Sequence, residues 1–181
     1  MGTLAGRPRS ALLVVDVQVG VVASAHRRDE VVAAISRLVA AARGAGTPVV
    51  WVQHHDDELA EGSPEWRIVP ELAPAAGEAV VHKTWNDAFE ETDLEERLAE
   101  RAVGRLVVVG AQTEWCVRAT LHGAIARGYD ATLVEDAHTT NDVSDALPAS
   151  AVIELANTTW RWHRAPGRSA GTCTAAEVAF P

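Results

Sequence analysis

Short apolar runs bounded by polar turns recur along the chain, at Ala11–Val15, Pro48–Val52, Ala79–Val81, Arg105–Val109 and Ala131–Val134. Each is apolar at consecutive rather than alternate positions, so each predicts a strand covered on both faces. A sixth strand is expected near Ala170–Thr174. Between the strands the period changes. Val31, Val32, Ile35, Leu38, Val39 and Ala42 fall on one stripe of a helix that Asp29 would cap and Gly44 would end. Thr92-x-x-Glu95 reads as a capping box for a short acidic helix reaching Ala102. A third helix is expected from Glu114 to Gly128. A last one should begin near Pro148 and turn Val152, Ile153, Leu155 and Ala156 inward. Strands alternating with helices predict an α/β fold, three-layered and doubly wound, around a mainly parallel six-stranded sheet.

The length of 181 residues fits one domain spanning residues 1–181, and no repeat, low-complexity tract or linker divides it. A net charge of -9 with no basic run excludes nucleic acid as the main partner. No apolar run approaches the roughly 18 residues of a membrane span, so no membrane partner is expected. Arg7 and Arg9 ahead of an apolar stretch, with Ala23-Ser24-Ala25 behind it, imitate a secretion signal. Asp16 and Gln18 interrupt that stretch, and cleavage would remove a core strand. Cys116 and Cys173 are too few for a disulfide framework, which points to a reducing, cytoplasmic setting.

Open α/β sheets bind ligands beyond the carboxyl ends of their strands. Reading just past each predicted strand gives Asp16 and Gln18, then Gln53-His54-His55-Asp56, then His82-Lys83, then Gly110-Ala111-Gln112-Thr113-Glu114-Trp115-Cys116. An acid, a lysine and a thiol reach one rim. Cys116 falls in the first turn of an expected helix, where free N–H groups and the helix dipole favour a thiolate. Taken alone it reads first as a small, commonly buried side chain. Asp16 ends an apolar strand, either bonded to neighbouring backbone or serving chemistry. Lys83 is the single lysine among 16 basic residues, in a chain that otherwise uses arginine for its cations. A lysine offers a compact charge and three rotatable donors that arginine lacks. Together the three fit nucleophilic catalysis. Cys116 attacks, Asp16 carries the proton, Lys83 steadies the carboxylate and orients the group under attack, and backbone N–H groups hold the oxyanion.

Leu12-Leu13-Val14-Val15-Asp16-Val17-Gln18, His82-Lys83 with Ala88-Phe89, and Gly110 through Val117 resemble, in order and spacing, the isochorismatase-like cysteine hydrolases. Nicotinamidases and N-carbamoylsarcosine amidases belong to that family. Gly128-Tyr129-Asp130 and Asp136-Ala137 extend the match downstream. The resemblance implies an Asp16, Lys83 and Cys116 catalytic triad and a cis Ala111–Gln112 peptide. It also implies an oxyanion hole made by the Gln112 and Cys116 N–H groups. The expected activity is hydrolysis of a small amide or carbamoyl compound through a thioester, with no cofactor. The alternatives are isochorismatase-type vinyl-ether hydrolysis, which needs no nucleophile, and a non-catalytic binding or redox-sensing domain.

Three departures bear on the substrate. Asp87 stands where relatives often carry Ser, the Asn-Asp-Phe run after Gln18 is missing, and the Asp-x-His metal pair of nicotinamidases is replaced by Gln53-His54-His55-Asp56. His54 and His55, adjacent in an extended segment, point opposite ways, so no metal site is expected. Gln18, His54, His55, Trp66, Trp85, Phe89 and Trp115 are the candidates for lining a pocket for a small-molecule substrate. Trp160 and Trp162 are candidates for an interface in a homo-oligomer, a dimer or tetramer.

Overall fold

The computed structural model describes residues 4–180. Its strands are β1 (Arg9–Val15), β2 (Val49–His54), β3 (Ala79–Lys83), β4 (Val103–Ala111), β5 (Asp130–Thr139) and β6 (Ala170–Cys173). They form one six-stranded sheet in the order β3-β2-β1-β4-β5-β6, and every pairing is parallel. The helices are α1 (Val19–Val22), α2 (Arg28–Gly44), α3 (Leu94–Glu100), α4 (Arg118–Ala126) and α5 (Ala149–Arg161).

Alternation along β1 divides the core. Leu12 and Val14 face Ile35, Leu38 and Val39 of α2, while Ala11, Leu13 and Val15 face Leu98, Leu121, Ile125 and Trp160 on the opposite side. The sheet therefore lies between two helix layers, as its uninterrupted apolar strands require. Chain order reverses between β1 and β4, so the loops leaving their carboxyl ends diverge and open a crevice there. Gly110 makes this junction possible. Its φ is +122°, and a Cβ on it would lie 2.0 Å from the Val15 carbonyl oxygen. Only glycine lets β4 approach β1 so closely at the level of the site.

Several helix ends differ from expectation. The residue preceding α2 is Arg27, at φ 52°, and no side chain caps the helix. Asp29 lies inside the first turn and pairs with Arg28 instead. The Thr92–Glu95 capping box does not form. Thr92 Oγ1 donates to the Ala88 carbonyl, and Glu95 is drawn off by Arg7 and Tyr129. In α5 the inward face is Ala149, Val152, Asn157 and Trp160. Leu155 points out and is 61% exposed, because the stripe runs one residue out of step with the apolar pattern. No helix among the described residues is long and apolar enough to cross a membrane.

Candidate active site

Asp16 leaves the end of β1 in the left-handed region, at φ 49°. Aspartate tolerates this better than most residues, and the turn aims its carboxylate back over the sheet. Lys83, the last residue of β3, reaches the same point. Its Nζ lies 2.7 Å from Asp16 Oδ2 and 3.2 Å from Cys116 Sγ. Asp16 and Lys83 are each only 1% exposed and Cys116 only 9%. A buried cation and a buried anion at this depth are tolerable only as a pair.

Cys116 does not sit in an ordinary first helical turn. Thr113–Val117 is a π-helical turn that runs directly into α4. The Trp115 and Val117 N–H groups both donate to the Gln112 carbonyl, and the Ala111–Gln112 peptide is cis. The start of the turn is fixed from below. Thr113 Oγ1 lies 2.8 Å from His138 Nδ1, and His138 Nε2 lies 2.9 Å from Asn157 Oδ1. Burial keeps that imidazole below its usual range, so it is neutral and shares its two nitrogens between an accepted and a donated bond.

The expected dipole-stabilised thiolate is not what this environment favours. Burial first, then the Asp16 charge, push the Cys116 thiol up to about 12, against the pull of Lys83. Burial alone would push the Lys83 ammonium down, but Asp16 and Cys116 outweigh it and hold it above its ordinary value. At neutral pH the site holds a thiol beside a carboxylate–ammonium pair. Alkylation of Cys116 by iodoacetamide, followed in a Cys173→Ser background, should therefore rise about tenfold per pH unit from about pH 8 to about pH 10. A plateau near neutrality would show an activated thiolate instead.

The other expected site residues take different positions around this centre. His54 joins the centre, with Nδ1 3.4 Å from Lys83 Nζ. His55 donates its backbone N–H to the Lys83 carbonyl and is half-buried. Trp85 and Trp115 are exposed at 53% and 54%, and Trp85 donates its indole N–H to Glu91. Two candidates do not line a pocket. Gln18 is fully buried and staples backbone, its amide donating to the His54 and Trp66 carbonyls and its carbonyl accepting from the His54 N–H. Phe89 belongs to the core, tilted against Tyr129 with Arg127 over its ring. Trp66 packs its ring edge-on against His82 at 5.2 Å.

Sequence reading passed over two neighbours of the thiol and its turn. Asn86, exposed, accepts from Cys116 Sγ with its Oδ1 3.8 Å away. His138 is reached only through the fold. A polar residue three places after Lys83 was the available signal for Asn86; nothing local marked His138. Among the described residues, no group of three or more His, Cys, Asp or Glu side chains is placed to hold a metal ion. The His54 and Asp56 side chains close on each other instead.

Residues 10–159 match the family profile described as the Isochorismatase domain. The chain belongs to the isochorismatase family. Among curated relatives of this isochorismatase-family chain, a streptothricin hydrolase of Streptomyces noursei is 36% identical over 156 residues, covering 80% of this chain and 62% of the relative. A second streptothricin hydrolase from the same species is 37% identical, with 55% of its length covered. The chain thus spans under two thirds of the length of these relatives. The ureidoacrylate amidohydrolase RutB of Methylobacterium radiotolerans is 32% identical over 139 residues, covering 59% of this chain and 54% of the relative. Among solved structures, an isochorismatase from Pseudomonas putida KT2440 superposes with a TM-score of 0.84 at 28% identity, covering 97% of this chain and 92% of that one. A cysteine hydrolase from Pseudomonas syringae pv. phaseolicola gives 0.84 at 25% identity, covering 93% and 90%. The parallel sheet is the one expected from the strand pattern, and the isochorismatase-family fold is the one the motif resemblance implied.

Proposed function

We propose that this chain hydrolyses a small amide or carbamoyl compound through a thioester on Cys116, with Asp16 as proton carrier and Lys83 as its charged partner. The observation that carries the reading is the buried contact of one ammonium with both a carboxylate and a thiol, at 2.7 Å and 3.2 Å. A thiol this reluctant to ionise reacts when its proton leaves as its sulfur attacks. Asp16 takes that proton while Sγ bonds to the carbonyl carbon and the carbonyl electrons move onto oxygen. The oxyanion is received by the Gln112 and Cys116 N–H groups. Among the described residues the Gln112 N–H has no hydrogen-bond acceptor of its own. Collapse of the adduct breaks the C–N bond, and Asp16 returns the proton to the departing amine. Water then attacks the thioester, giving one proton to Asp16, which passes it back to the leaving sulfur. Lys83 stays an ammonium throughout, which keeps Asp16 a carboxylate between proton transfers.

Supporting the amide class, one relative's name specifies an amidohydrolase. Vinyl-ether hydrolysis gives the buried thiol no task, and nothing in the site favours it.

The test offers wild-type protein a panel of primary amides and ureido acids, measures ammonia release, and quenches the reaction in acid for intact-mass analysis. Ammonia release with an acyl adduct on the Cys116 peptide is the expected result. Release of ammonia with no adduct, and with no hydroxamate on adding hydroxylamine, would overturn the thioester route. No release from any amide would overturn the activity.

A further inference from the structure

The Lys83 ammonium carries three hydrogens, and only two are used by Asp16 and Cys116. We propose that His54, oriented by Asp56, is a positioning residue that accepts the third and so locks the ammonium in place between the acid and the thiol. This deepens the proposed reaction and rests on it for its effect on turnover.

The geometry fixes both ends of the imidazole. Nδ1 faces Lys83 Nζ at 3.4 Å, and Nε2 faces Asp56 Oδ2 at 2.9 Å. An ammonium can only donate, so Nδ1 must be bare. An ionised carboxylate can only accept, so Nε2 must carry the hydrogen. The two partners demand the same neutral tautomer. Asp56 is suited to enforce it, because its other oxygen is already held by the Glu58 and Leu59 N–H groups at 2.9 Å and 2.7 Å. His54 in turn cannot drift. Its backbone N–H and carbonyl are both bonded to the buried Gln18 amide, at 2.8 Å and 2.9 Å.

Residues two apart in an extended segment share a face, which is why His54 and Asp56 meet while His55 turns away. The result is a continuous line from the loop backbone through Asp56, His54 and Lys83 to Asp16 and Cys116. An ammonium with three fixed acceptors has one rotational setting. With one acceptor missing, it can swing its remaining hydrogens away from sulfur or carboxylate.

Two measurements test this. Imidazole nitrogen shifts of the wild-type chain, read by NMR at neutral pH without substrate, should show His54 protonated on Nε2 with Nδ1 accepting, and the Nδ1 signal should move in Lys83→Met. A hydrogen on Nδ1, or no response to Lys83→Met, would overturn the proposal. In turnover, His54→Phe should lower kcat about tenfold, the scale of one hydrogen bond to a charged group, with KM within about twofold. His54→Gln, whose amide can accept from Lys83 and donate to Asp56, should recover most of the loss. An unchanged kcat in His54→Phe, a rise in KM alone, or a Gln variant no better than Phe would each overturn it. The tautomer is read without turnover, so a chain inactive on every amide would sink the reaction while leaving this hydrogen-bond assignment to stand or fall separately.

Discussion

Cys116→Ala is expected to lower kcat/KM for any amide substrate by at least about four orders of magnitude, the usual cost of deleting a nucleophile. Removing Sγ deletes the only group that can form the thioester, and the surrounding Asp16–Lys83 pair has no other nucleophile to deprotonate. Loss of the small buried side chain should leave the fold intact, with a stability change of about 1 kcal/mol. Steady-state ammonia release and a thermal melt check the two halves. Release that survives in the alanine variant would mean that water, rather than sulfur, attacks the substrate.

Lys83→Arg is the second large effect. It preserves the positive charge and is expected to lower kcat at least about a hundredfold. Lys83 is 1% exposed and touches an acid, a sulfur and an imidazole with one compact tetrahedral head. A guanidinium is planar, longer and bulkier, and no rotation of it reproduces three converging donors on one atom. Forcing it into the slot should also cost about 1–3 kcal/mol of stability by overpacking. A kcat measurement with a thermal melt tests this. Near-normal turnover would show that the site needs a cation alone, and the geometry assigned to the ammonium would be irrelevant.

The sheet was legible because strands buried on both faces have no choice of composition. The runs at Ala11–Val15 and Arg105–Val109 could be little else. Parallel pairing followed from the helical periods between them. The rim residues were legible for the same reason, since Asp16, Lys83 and Gln112 each come within three residues of the end of an apolar run. Helix starts were less readable, because tertiary partners compete for capping side chains. Glu95 serves Arg7 and Tyr129 across the fold, and no local pattern announces that claim. Gln18 and Phe89 follow Asp16 and Lys83 closely in sequence, but neither lines a pocket. Gln18 turns instead to three backbone groups of neighbouring segments, and Phe89 to the core, contacts set by distant parts of the chain. The thiol's electrostatics were likewise out of reach. A helix start favours a thiolate only where its pull outweighs the cost of burial, whereas Cys116 is covered by protein and the one cation beside it, Lys83, is shared with the Asp16 carboxylate. Burial is a property of the whole fold, and it reversed the direction that the local motif predicted.

With burial and the Asp16 charge pushing it up to about 12, this thiol stays protonated at pH 7. Peroxides attack the anion, so between turnovers this sulfur is a poor target for oxidation to the sulfenic acid and beyond. In the proposed reaction the burial that slows the resting thiol also preserves it, and its reactivity is released only when a carbonyl arrives to take the electrons as the proton departs.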